Sequence, residues 1–129
     1  MGLRITSLYA ASLALLYLAI TVGVIRARYA SKIALGTGED RLLFRAARAH
    51  ANFAEYVPLI LVLMVLAESG GAPRLVVHAI GLATLVGRTL HAYGIRQEPE
   101  PLAFRMAGMM LTLTSLGVAA LTTLAVTLF

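Results

Sequence analysis

RLLFRAARAHANFAEYVP, residues 41–58, sets Arg41, Arg45, Arg48, Asn52 and Glu55 at steps of four, three, four and three. That spacing keeps all five on one side of a helix, with apolar residues over much of the remaining surface. Residues 59–67 then continue as an unbroken apolar run. A charge at membrane depth is costly unless it faces protein, water or an opposite charge. The segment therefore reads as one wall of a membrane bundle, with a polar seam turned away from lipid.

The sequence on either side supports a bundle. The chain has 129 residues, 60% of them hydrophobic and 13% charged, well outside the balance of a water-soluble domain. Before the seam, an apolar stretch over 5–25 is broken only by hydroxyls such as Thr6, Ser7, Ser12 and Thr21, which bond back to helix carbonyls. Arg4 followed by this stretch has the look of a secretory leader. The stretch is too long for a leader core and lacks a small-residue cleavage site, so it is read as a retained first span. Residues 26–40 form a charged connection containing Gly36 and Gly38, and Asp40 is placed to cap the next helix.

The second helix runs over 41–68, with Pro58 placed to bend it and Gly70, Gly71 and Pro73 to end it. A third span covers 75–93 and a fourth 101–129, where Gly108 and Gly117 offer close helix contact. The expected fold is an all-α integral membrane protein, a four-helix transmembrane bundle forming one domain over 1–129.

Composition also excludes several classes of function. With no cysteine, any thiol chemistry must come from a ligand. The net charge of +5 lies at span ends and in helices instead of a basic tail, which argues for membrane orientation and an anionic ligand over nucleic acid. Three histidines at irregular positions give no metal-binding spacing, so no metal is expected. Arg26, Arg28, Lys32 and Arg41 surround the first connection and Arg96 and Arg105 bracket the third, against Arg4 and Arg74 on the other side. That bias places these connections in the cytoplasm and the termini in the periplasm of a bacterial inner membrane.

Each polar group in the spans has a structural reading and a ligand reading. Arg48, Asn52 and Glu55 form either a structural salt network or a seat for a small zwitterion, with guanidiniums on carboxylates and Glu55 on an amino group. The excess of positive charge on the stripe favours the seat. His50 reads as a packing residue, and Tyr56 as an anchor or a headgroup contact. In RTLHAYG, residues 88–94, Arg88 is expected to pair with Glu55 or a ligand, His91 to pack or bind, and Tyr93 to anchor at the interface or reach a ligand. Arg26 and Arg105 read as snorkelling residues or as charges added to the seam from other helices.

RAHANFAEYVP at 48–58, with VIRAR at 24–28, RTLHAYG at 88–94 and PLAFR at 101–105, resembles the membrane-associated proteins in eicosanoid and glutathione metabolism, the MAPEG family. The resemblance spans all four helices. It implies a homotrimer with glutathione as cosubstrate, bound between subunits near the cytosolic side. Arg26, Arg48, Asn52, Glu55, Tyr56, Arg88 and His91 would then be glutathione contacts, joined by Tyr93 on its own position in the sequence, and Arg105 the catalytic residue that stabilises the thiolate.

Two departures bear on the reaction. A tyrosine found in some catalytic relatives four residues past the His91 position is Ile95 here, and a serine that follows the activating arginine in one subgroup is Met106. The implied activity is a membrane transferase conjugating glutathione to hydrophobic electrophiles drawn from the bilayer, with lipid hydroperoxide reduction as a related reaction. The alternative is a noncatalytic glutathione- or lipid-binding membrane protein.

Overall fold

The computed structural model describes residues 2–129. It contains four helices: α1 (Arg4–Ser31), α2 (Arg41–Ser69), α3 (Arg74–Arg96) and α4 (Leu102–Leu128). Their lengths of 28, 29, 23 and 27 residues correspond to roughly 35–43 Å at about 1.5 Å per residue. A hydrocarbon core of about 30 Å is therefore exceeded by every helix. The most apolar windows have mean hydropathies of 2.2, 1.6, 1.4 and 1.8 in chain order. The chain is a multi-pass membrane protein.

The first three helices outrun the expected spans, whereas α4 falls one residue short of 101–129 at each end. α1 continues through Arg26 and Arg28 to Ser31 before Lys32 turns into the left-handed region at φ 58°. Arg28 belongs to the helix instead of the connection. Its guanidinium donates to the carbonyls of Ile33, Ala34 and Gly36, the last at 2.8 Å, and folds the connection back onto the helix end.

At its other end α1 has no cap of its own. The Glu68 carboxylate, from the last turn of α2, accepts the backbone amides of Ile5 at 3.0 Å and Thr6 at 2.8 Å. Two orphan amides of one helix are thus satisfied by another. Asp40 caps α2 as the sequence predicts, accepting from the Leu43 amide at 2.7 Å. α2 then runs unbroken through Pro58 to Ser69, where Gly71 at φ 87° makes the turn toward α3.

α2 and α3 form the middle pair, with α1 packed against both on one flank and α4 packed against both on the other. One apolar cluster, containing Tyr9, Ile60, Met64, Val77 and Ile80, fills the half nearer the chain termini. A second, with Leu13, Phe53, Val57 and Ala92, lies toward the opposite end. Tyr17 stacks on both His50 and Phe53, with ring centroids 4.6 and 4.9 Å apart, so His50 packs against α1. Leucines such as Leu15, Leu18, Leu82 and Leu121 face outward, as lipid contact requires.

The approach of α3 to α4 depends on glycine. A Cβ at Gly108 would lie 2.5 Å from both the Gly87 carbonyl oxygen and the His91 amide nitrogen. Gly117, expected to serve in the same way, meets nothing within 4 Å. Its helix face opens away from the bundle.

Candidate functional site

At the end of the bundle that carries the α1–α2 and α3–α4 connections, the helices splay around a half-open cavity of about 680 Å³. α2 contributes Arg41, Phe44, Arg45, Arg48 and Asn52. α3 contributes His91 and Ile95, the following connection Glu100, and α4 Arg105, Met106 and Met109. The polar start of α2 reaches this end because its 29 residues exceed the hydrocarbon thickness by roughly two and a half turns. Four guanidiniums face one carboxylate, so the walls carry a net positive charge suited to a small anion.

The floor is organised by Arg88, which is 1% exposed. Its Nε donates to Thr112 Oγ1 at 2.8 Å and its Nη1 to Asn52 Oδ1. Nη2 reaches the Gly108 carbonyl at 3.5 Å, and the guanidinium lies over the Tyr56 ring with its carbon 5.8 Å from the centroid. One side chain thus ties α2, α3 and α4 together. The expected pairing of Arg88 with Glu55 is corrected: Asn52 answers the guanidinium, and Glu55 is exposed on the outer face of α2. With Oδ1 occupied, Asn52 has its amide NH₂ to offer the cavity.

Arg105 stands at the rim. Gly94 permits this position, since a Cβ there would be 2.7 Å from the Arg105 amide nitrogen. The Arg105 guanidinium is not free: its Nη1 donates to Glu100 Oε1 at 2.6 Å. The other oxygen of Glu100 accepts from Arg45 Nη1 at 3.1 Å, and Arg45 also donates to the Ile95 carbonyl at 3.2 Å. The Arg105 guanidinium, joined by that of Arg45, holds the Glu100 carboxyl below the usual range for a glutamate. Farther out Arg41 pairs with Glu98 at 2.9 Å, whereas Arg48 makes no ion pair among the described residues.

Of the residues proposed from sequence, the structure brings Arg48, Asn52, His91 and Arg105 onto one cavity and places Arg88 and Tyr56 directly behind it. It does not bring Arg26, Glu55 or Tyr93 there. Arg26 is exposed on α1, and Tyr93 lies edge-on to Phe104 with centroids 5.7 Å apart, beside a separate groove between α1 and α3.

Sequence reading omitted Arg45 and Glu100 from the site. Arg45 was visible on the stripe between Arg41 and Arg48. Glu100 gave no signal, because its partners lie 55 residues upstream and 5 downstream.

Comparison with known proteins agrees with this architecture. The MAPEG family model matches residues 6–125. Inner membrane protein YecN of Escherichia coli strain K12 is 36% identical over 108 residues, covering 84% of this chain and 81% of that protein. YecN of Escherichia coli O6:H1 strain CFT073 matches with the same identity and coverage. The four spans, the seam on α2 and the match over nearly all of the sequence lead to one assignment: the chain belongs to the MAPEG family.

Proposed function

We propose that the protein is a glutathione-dependent membrane transferase acting on hydrophobic electrophiles. The observation that carries this reading is the cavity in which Arg45, Arg48 and Arg105 converge with Asn52 and His91 beside an apolar wall of Phe44, Met106 and Met109. Arginines on α2 would receive the glutathione carboxylates in charge-assisted pairs. The Asn52 amide would orient the peptide, and Arg105 would favour the anionic sulfur by charge pairing. That sulfur attacks an electrophilic carbon, forming a C–S bond as the leaving group departs with its electron pair. The methionine wall suits a lipophilic partner arriving from the bilayer.

A homotrimer belongs to the same reading. Glu55, on the outer face of α2, and Arg48, at the cavity, are exposed with no ion pair among the described residues, and Glu55 lies about 21 Å along the helix from its start. Charges so placed call for a protein neighbour, and a second copy would bring its Glu55 and Arg26 to a shared site. The arginine bias and the inner-membrane naming of the YecN relatives support a bacterial inner membrane with periplasmic termini.

The test uses purified protein in detergent with glutathione and 1-chloro-2,4-dinitrobenzene. A glutathione-dependent thiolate absorbance and conjugate formation are expected. Arg105→Ala should lose at least tenfold in turnover, about 1.4 kcal/mol of transition-state stabilisation. Binding without thiolate or turnover, across both electrophiles and lipid hydroperoxides, would instead establish the noncatalytic binder. The engagement of Arg105 by Glu100 and the presence of Ile95 in place of a tyrosine keep that second reading in the test.

A further inference from the structure

The Glu100 carboxylate spans the cavity. One oxygen is held by Arg105 of α4 at 2.6 Å and the other by Arg45 of α2 at 3.1 Å, with the Glu100 side chain 15% exposed. This differs from the Arg41–Glu98 pair at the rim, where the partners are 73% and 38% exposed and a single bond joins them. A pair so open to water contributes little, whereas a carboxylate gripped from two helices at a cavity wall takes up the charge of both guanidiniums. Glu100 also comes from the connection between α3 and α4, flanked by Pro99 and Pro101, so its side chain can leave without unwinding a helix.

We propose that Glu100 is a built-in pseudo-ligand, occupying between Arg45 and Arg105 the seat that an anionic group of the true ligand takes. Ligand entry is then an exchange of one anion for another. Arg105 is neutralised while Glu100 holds it and turns to the ligand only when Glu100 is displaced toward the open end of the cavity. The exchange limits capture of small stray anions, because each must first outcompete a tethered carboxylate. A ligand with several anionic groups succeeds, since Arg48 makes no ion pair among the described residues and supplies a first foothold.

This inference rests on the anion-binding part of the proposed function and not on glutathione itself, so the probe is inorganic sulfate. Sulfate is titrated against purified protein in detergent at constant ionic strength, with thermal stabilisation as the readout. Glu100→Gln keeps size and hydrogen-bonding capacity while removing the competing charge. It should lower the half-saturating sulfate concentration by roughly three- to tenfold, a modest gain because Arg105 is 44% exposed.

Glu98→Gln removes the same charge from the rim and should leave the half-saturation where it is. Glu100→Asp retains the charge on a shorter arm that reaches only one guanidinium, and it should shift affinity in the same direction by less. That variant also answers the question if Glu100→Gln fails to fold. Unchanged or weaker sulfate binding in Glu100→Gln, or an equal gain in Glu98→Gln, overturns the proposal. Loss of glutathione turnover in any of these proteins bears on the transferase reading alone.

Discussion

Glu68 and Glu100 sit at opposite ends of the bundle and solve different problems. Glu68 accepts two backbone amides at the start of α1 and lines a smaller cavity there with Arg4 and Arg74. Glu100 accepts two guanidiniums from α2 and α4 at the wall of a cavity. Backbone amides cannot move without unfolding the helix that bears them, so the first carboxylate is a fastening. Guanidiniums on long side chains can change partners, so the second is exchangeable. At one end a carboxylate is fixed to a helix start, and at the other a carboxylate can give way to another anion.

Arg88 stands between the two ends, and its loss should have the largest effect. Arg88→Ala removes the group that joins α2 to α4, leaving Asn52 Oδ1 without its partner, while Thr112 and the Gly108 carbonyl keep their own bond. With the void left by so large a buried side chain, a destabilisation of about 3 kcal/mol is expected, read as a lower thermal midpoint in detergent. Gly108→Ala should follow, at about 1–3 kcal/mol, because its methyl group meets backbone atoms at 2.5 Å and forces α3 and α4 apart. The same unfolding measurement checks it. Gly117→Ala, which meets open space, should leave the midpoint unmoved.

The comparison also shows where sequence reading succeeds. Apolar length, the Asp40 cap and the glycine turn after α2 are local signals, and they translate directly into helices. The seam on α2 is also local, since a step of four and three places Arg45, Arg48 and Asn52 on one face whatever they meet. Partners are not local. The Arg88–Asn52 bond crosses 36 residues and the Glu68 cap 62 or 63, and no periodicity in one segment reports what another segment offers it. Charge alone makes Glu55 the natural counterion for Arg88. In the fold an amide oxygen nearer the guanidinium takes that place.

Smaller effects separate the two carboxylates. Glu68→Ala should cost about 1 kcal/mol of stability through the lost cap of α1, without altering anion binding at the far end. Glu100 should reveal itself on acidification. Its folded carboxyl titrates below its unfolded value, so its contribution is complete above the ordinary glutamate value of about 4.3 and is lost as pH falls through the lowered folded value. Thermal midpoints of the wild type and Glu100→Gln should therefore converge in acid, while remaining apart at neutral pH.

The most direct test of the division between a fastened end and a ligand end is an equilibrium glutathione titration of three purified proteins: wild type, Arg48→Ala and Glu68→Ala. The wild type should bind saturably, Glu68→Ala with the same affinity despite its lower thermal midpoint, and folded Arg48→Ala roughly tenfold more weakly. Absence of saturable binding by the wild type, or equal weakening in both variants, would contradict it.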